Sequence, residues 1–230
     1  MQPYLFPYLG YFQLMHAVDR FVVYDDVAFI KQGWINRNRI LINGRPSYFT
    51  VPIKHASSFA PIHDTLVDDE GQHARWIEKM LKTFDNAYRR APHFGVVFPL
   101  VEGVLMTPTK RVAELAAASI RAVAGLLEIS TGWVESSTPY GNAHLRAEER
   151  VLAICRAEAA TDYVNAAGGR ELYGRDRFEA QGVRLHFLQS RQVEYRQFNH
   201  PFVPSLSIVD VLMFNPVETV RTFLSAYDLT

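Results

Sequence analysis

Residues 21–24 form an apolar run (FVVY) that ends at two consecutive aspartates, Asp25 and Asp26. Such nearly continuous apolar runs are typical of strands that are buried on both faces of a parallel sheet. The aspartates mark the point where the strand leaves the sheet, and open α/β sheets bind their ligands at the carboxyl ends of their strands. The segment therefore predicts an α/β fold with a site near its N-terminal part.

Strand and helix patterns continue along the rest of the chain. Asn43-Gly44 between two β-rich runs predicts a hairpin. Apolar spacing predicts helices near residues 70–88, 110–128, 144–159 and 217–227, strands at 162–166 and 182–189, and a short buried helix or turn at 207–214. This order predicts a single Rossmann-like α/β domain over residues 1–230, with a mainly parallel sheet and a helical section around residues 70–160.

Composition narrows the class of protein. The 24 lysines and arginines balance 24 aspartates and glutamates, which argues against bulk nucleic-acid binding. A single cysteine, Cys155, rules out an intrachain disulfide and fits a reducing cytoplasm. No apolar run approaches the roughly 18 residues that span a bilayer. We therefore expect a cytoplasmic protein without a membrane partner; the histidine spacing predicts no metal site, and no pattern identifies a cofactor.

Residues 1–24 predict a short extended piece, a turn at Gly10, a helix and then the strand. A helix that begins after a glycine turn offers free backbone N–H groups to anions. The stretch from Pro7 to Tyr11 resembles the P-x-x-H-x-G-H opening of the HIGH-motif nucleotidyltransferases and of pantothenate synthetase. Both histidine positions hold tyrosines here, Tyr8 and Tyr11. Tyrosine carries no positive charge, so this resemblance implies a scaffold rather than adenylyl transfer.

Polar and charged side chains are dense between residues 25 and 39. Carboxylates there can accept a proton from an attacking amine or hydroxyl, and arginines can hold a phosphate or carboxylate. A second interpretation is a polar loop whose side chains only satisfy the turn backbone. The candidate catalytic residues are Asp25, Asp26 and Lys31, and the candidate binding residues are Trp34, Asn36, Arg37, Asn38 and Arg39.

The two N-terminal segments together resemble the WbqC-like proteins. The resemblance rests on QPYLFPYLGYF at residues 2–12 and on DRFVVYDDVAFIKQGWINRNRI at residues 19–40, with DYVNAAGGRELY and FVPSLSIVDVLMFN later in the chain. Relatives usually carry an apolar first strand before the glutamine–proline pair. This sequence starts at Met1, so either the strand is shortened or the start has been assigned late; a lost strand would leave Gln2 and Pro3 weakly anchored.

The resemblance implies an enzyme of glycan or natural-product assembly, including O-antigen. Its reaction would transfer an acyl or aminoacyl group to an amine, for example of an amino sugar. Asp25 or Asp26 would be the base, and Lys31, Arg37 or Arg39 would hold the anionic end of a small-molecule or carrier-bound substrate. Two alternatives stay open: a nucleotide-handling transferase on a HIGH-type scaffold, and a non-catalytic protein that binds a carrier protein or a sugar nucleotide.

Further candidates lie in the N-terminal segment and in the second half of the chain. Ser207 and Asp210 have the spacing of a helix N-cap, or would contact substrate. Cys155 is a buried structural thiol or, alternatively, a nucleophile. The remaining candidate substrate-binding residues are Gln2, Tyr4, Tyr8, Gly10, Tyr11, Asn165 and Tyr173.

Overall fold

The structure is a computed structural model that describes residues 1–55, 57–68 and 73–230. The helices in this part of the chain are α1 (Leu9–His16), α2 (His73–Tyr88), α3 (Phe94–Leu105), α4 (Val112–Leu126), α5 (Ala147–Ala157), α6 (Arg175–Glu179), α7 (Ile208–Phe214) and α8 (Val217–Phe223). The strands are β1 (Arg20–Val22), β2 (Arg37–Ile42), β3 (Arg45–Thr50), β4 (Gly132–Val134), β5 (Asp162–Ala166), β6 (Arg184–Ser190) and β7 (Tyr227–Leu229).

The described strands form three small sheets. β1 pairs with β4 in parallel, β2 and β3 form an antiparallel hairpin, and β6 pairs in parallel with β5 and antiparallel with β7. The predicted α/β class is confirmed, but the predicted mainly parallel sheet is divided, and a Rossmann-like arrangement is not confirmed. Apolar runs identify strands correctly but do not state which strands become neighbours.

The hairpin turn and most helices follow the sequence pattern. Asn43 and Gly44 both have positive φ, 52° and 74°, as a type I′ turn requires. Helices α2, α4 and α5 occupy the three predicted helical stretches; residues 70–72, where the first was expected to begin, lie outside the described residues. Helix α3 was not predicted, because Pro99 and two glycines interrupt an otherwise apolar segment.

Residues 1–8 are extended and bent rather than a strand. The Met1 carbonyl accepts a hydrogen bond from the Tyr24 N–H at 2.8 Å, so the chain start runs along β1. The expected weak anchoring of Gln2 and Pro3 is wrong: Pro3 is buried, and the Tyr11 hydroxyl donates to the Gln2 carbonyl at 2.9 Å.

Two apolar cores hold the described residues together. The main core joins α1–α4, α7 and α8 with β1–β3. A second core lies where α5 and α6 cover one face of the β5–β6 pair, and its buried members are Val151, Leu152, Cys155, Phe178, Val183, Leu185 and Phe187. No described helix is long and apolar enough to cross a bilayer.

Candidate functional site

A cleft of 1470 Å³ lies between β1 and β5, which belong to different sheets. Its apolar lining includes Leu14 of α1 and Cys155 of α5. The cleft runs along both strands, and Asp19 and Thr161 line it beside their amino ends. We use "the mouth" for the polar and aromatic lining residues that lie near or after the carboxyl ends of β1 and β5 or come from the N-terminal segment and the loop before β2: Gln2, Tyr4, Tyr8, Tyr24, Trp34, Asn165 and Tyr173.

Six of these seven side chains were candidates from the sequence. They come from three distant stretches of chain: the N-terminal segment, the loop before β2, and the end of β5 with the turn that follows it. Carboxyl ends of parallel strands are where α/β proteins place their ligands. The structure therefore brings the N-terminal motif and the DYVNA segment together, although sequence gives no sign that they meet.

Tyr4, Tyr8 and Tyr24 of the mouth are neutral hydrogen-bond donors. Burial raises the pKa of Tyr8, and burial together with the nearby Tyr8 raises that of Tyr4. Burial also raises the pKa of Tyr24, partly offset by the positive charge of Arg150. Desolvation disfavours a phenolate, so these phenols keep their protons throughout the physiological pH range.

Gly10 and Tyr11 contact residues of the mouth but do not themselves line the cleft. A Cβ on Gly10 would lie 2.5 Å from Ser190 Oγ and 2.7 Å from the Tyr8 ring, so a larger residue would require these two side chains to move. Tyr11 is 1% exposed, and its hydroxyl is used by the Gln2 carbonyl. Tyr11 therefore supports the segment that carries Gln2 and Tyr4, and does not line the cleft.

Asp25 and Asp26 follow Tyr24 in the chain, are not among the residues that line the cleft, and contact a distant part of the chain. Asp25 is 5% exposed, and its Oδ1 accepts hydrogen bonds from Ser136 Oγ at 2.7 Å and from the Ser137 N–H at 3.0 Å. Asp26 forms a buried ion pair with Arg150, whose guanidinium carbon is 5.0 Å from the Tyr24 ring centroid. The sequence did not indicate these partners, because Ser137 is 112 residues away from Asp25.

Beside the mouth, two arginines stack on two aromatic rings. The guanidinium carbon of Arg39 is 5.6 Å from the Trp34 ring centroid, and that of Arg37 is 4.6 Å from the Tyr48 centroid. The two rings are 6.1 Å apart. We call these four side chains the cation–aromatic quartet; Tyr48 was not a candidate from the sequence. Lys31 lies on the exposed turn before Trp34.

Asn36, Asn38 and Ser207 hold the backbone. Asn36 Nδ2 donates to the Val51 carbonyl at 2.8 Å. Asn38 Nδ2 and Ser207 Oγ both donate to the Phe6 carbonyl, at 2.8 and 2.7 Å, and so fix the bend before α1. Ser207 Oγ also accepts from the Val209 N–H at 3.3 Å, which confirms the predicted N-cap of α7. These contacts match the backbone-satisfying interpretation of the polar cluster.

Asp210 lies in a buried polar network away from the cleft lining. Its carboxylate accepts hydrogen bonds from Tyr88 at 2.7 Å, Tyr195 at 2.8 Å and Gln197 at 2.7 Å. Burial raises the pKa of Asp210, and the three donors partly offset that rise. This network ties α7 to α2 and to the segment before α7.

Two further groups line the cleft: Asp162, which was not a candidate from the sequence, and Cys155, which was. Asp162 accepts hydrogen bonds from Arg184 and His186, each at 2.7 Å, and these bonds hold the pKa of its carboxyl well below the usual range. Cys155 has a thiol pKa that burial raises to about 11. Among the described residues, no three His, Cys, Asp or Glu side chains are grouped so as to hold a metal ion.

Comparison with known proteins agrees with the N-terminal motifs. The model of the WbqC-like protein family matches residues 2–222. The chain belongs to the WbqC-like protein family. This WbqC-like chain is also 29% identical over 212 residues to the uncharacterized protein Rv1507c of Mycobacterium tuberculosis (strain ATCC 25618 / H37Rv), an alignment that covers 91% of this chain and 89% of the relative. No solved structure matches it.

Proposed function

We propose that this WbqC-like protein is a transferase that moves an acyl or aminoacyl group onto an amine, for example of an amino sugar, in glycan or natural-product assembly. The observation that carries the proposal is the mouth itself. It collects protonated phenols and side-chain amides at the carboxyl ends of β1 and β5, where a carbonyl group and an amine can meet.

The reaction requires that the site stabilise an oxyanion, accept a proton and hold the anionic end of the substrate. The amine nitrogen attacks the acyl carbon, a C–N bond forms, and the bond to the leaving group breaks. Negative charge develops on the carbonyl oxygen, and preorganised neutral donors stabilise it. In this proposal the hydroxyls of Tyr4 and Tyr8 are those donors, because burial keeps them protonated.

The amine also loses a proton, and the proposed acceptor is Asp25 or Asp26. The carboxylate of Asp26 is already engaged in a buried ion pair with Arg150. Asp25 receives hydrogen bonds from the neutral Ser136 and Ser137 instead. We therefore favour Asp25 as the base, with Lys31, Arg37 and Arg39 near the anionic end of the substrate.

Matched variants test this assignment in a mass-spectrometric screen of amino-sugar acceptors with acyl and aminoacyl donors. Tyr4→Phe and Tyr8→Phe keep the rings and remove one donor each, so kcat should fall by about 10²–10³ for a donor that serves the oxyanion. Asp25→Asn should abolish turnover, whereas Tyr227→Phe, outside the mouth, should not change it. Full activity in Asp25→Asn and in both tyrosine variants would remove the proposed roles.

A thermal-shift panel separates this function from the two alternatives. Stabilisation by a sugar nucleotide or by a pantetheine-bearing carrier favours the acyl transferase. Stabilisation by ATP or CTP alone favours a nucleotide-handling transferase on a HIGH-type scaffold. Binding without turnover in the same screen favours a non-catalytic binding protein.

A further inference from the structure

Positive charge is concentrated in the segment that carries the quartet. The whole chain is neutral, yet residues 27–63 contain five lysines and arginines and no aspartate or glutamate. The quartet lies within this segment, and one of its rings, Trp34, also lines the mouth. A local excess of positive charge beside a cleft attracts anionic ligands.

The two arginines of the quartet bind backbone and rings rather than carboxylates. Arg37 Nε donates to the Gly33 carbonyl at 3.0 Å, and Arg39 Nη2 donates to the Ser205 carbonyl at 2.9 Å. Within the described part of the chain, neither guanidinium forms an ion pair with an acidic side chain. Their two positive charges are thus held in place without an acidic partner among the described residues.

The backbone places these two charges on one side of β2. Arg37 and Arg39 are two residues apart, so their side chains leave the same face of the strand, about 7 Å apart along it. Asn38, between them, is 3% exposed and points into the protein. Trp34 and Tyr48 remain 36% and 54% exposed, which leaves ring surface beside the guanidinium groups.

We propose that the quartet binds the diphosphate and base of a nucleoside diphosphate. The two guanidinium groups match the two phosphate groups of a nucleoside diphosphate, and guanidinium N–H groups suit phosphate oxygens. Aromatic faces of this kind stack on nucleobases. Because Trp34 belongs to both the quartet and the mouth, the group attached to a bound diphosphate would lie at the mouth. This last step depends on the proposed function, whereas nucleotide binding does not.

Other anions match the quartet less well. A lone carboxylate would leave one guanidinium charge without a partner, and the flexible chain of phosphopantetheine has no planar ring to stack. 4′-Phosphopantetheine is nevertheless included as a ligand in the test.

Isothermal titration of the full chain with UDP, CDP, ADP, GDP and TDP measures the affinity directly. At least one diphosphate should bind, more tightly than its nucleoside and more tightly than inorganic pyrophosphate. Arg37→Gln, Arg39→Gln and Trp34→Leu should each weaken that binding about tenfold or more. Arg45→Gln is the matched control, because Arg45 lies in the same cation-rich segment outside the quartet. The affinity of this variant for the diphosphate should stay within about twofold of wild type. Circular dichroism verifies that each variant is folded.

Three results would overturn the inference: no diphosphate binding at millimolar concentration, binding that the quartet variants leave intact, or binding of 4′-phosphopantetheine in place of every nucleotide. If the protein transfers an acyl group to acceptors without a nucleotide and binds no diphosphate, the proposed function stands and the inference fails. If it binds a nucleotide through the quartet but has no acyl-transfer activity, the inference stands and the proposed function fails.

Discussion

At the scale of the residue, burial decides the reactivity of Cys155. Its side chain is 5% exposed, and its thiol pKa is raised to about 11, so almost no thiolate exists at neutral pH. We expect slow modification by iodoacetamide at pH 7.5, faster modification as the pH rises toward 11, and rapid modification in urea. Cys155→Ala should keep its activity. Fast labelling of the native protein with loss of turnover would instead identify Cys155 as a nucleophile.

Arg150 neutralises Asp26 in a buried pair, and each side chain is 5% exposed. Removing one partner of such a pair leaves a charge without compensation and costs about 3–5 kcal/mol of unfolding free energy. We expect that loss for Arg150→Met in urea denaturation, and a smaller loss for the double variant with Asp26→Asn. Lys82→Met, which breaks an exposed pair with Glu78, serves as the control and should be close to wild type. Equal losses in the single and double variants would contradict this account.

The sequence indicated the mouth side chains but not their supports. Tyr8, Trp34 and Asn165 were identified by residue type and by position after strands or turns. Ser136, Arg150 and Tyr48 were not, because their relevance arises from long-range contacts that leave no local pattern. For the same reason Asp210, chosen as a substrate contact, lies in a buried network instead.

At the scale of the element, that network joins α7 to α2. Tyr195→Phe removes one of the three donors to Asp210 and should cost about 1–3 kcal/mol at pH 7. Because burial raises the pKa of Asp210 above its unfolded value, its contribution to stability is full at low pH and is lost as the pH rises through the raised pKa. The donors favour the ionised form, so the cost of Tyr195→Phe should grow between pH 4 and pH 7.

Urea denaturation at several pH values, with Tyr227→Phe as control, measures this dependence. A destabilisation by Tyr195→Phe that does not change with pH would show that Asp210 stays in one protonation state across the range.

Element boundaries were more predictable than element partners. Strand β5 and helix α7 fall within a residue of their predicted limits, since apolar periodicity and an N-cap define them locally. The last helix was expected to reach Tyr227, but α8 ends at Phe223 and Tyr227 begins strand β7. The three residues of β7 form a strand only because they pair with β6, and the local sequence does not indicate this pairing.

At the scale of the whole molecule, the mouth depends on both apolar cores. Tyr4 packs against the main core, whereas Tyr173 packs against the second. Phe178, fully buried in the second core, stacks on Tyr163 at 5.4 Å and meets Tyr173 edge-on at 5.9 Å. Phe178 therefore holds one wall of the mouth without touching the cleft.

Phe178→Ala should destabilise the protein by about 3–5 kcal/mol and weaken ligand binding at the mouth. Its effect on native-state hydrogen exchange should be largest in α5, β5 and β6, because cooperative units open around their own cores. Phe84→Ala, at an equally buried position of the main core, is the comparison and should increase exchange in α2 and β3 instead. If both variants increased exchange uniformly along the chain, the two cores would form one cooperative unit. A substitution in the second core would then not destabilise the Tyr173 side of the mouth separately from the Tyr4 side.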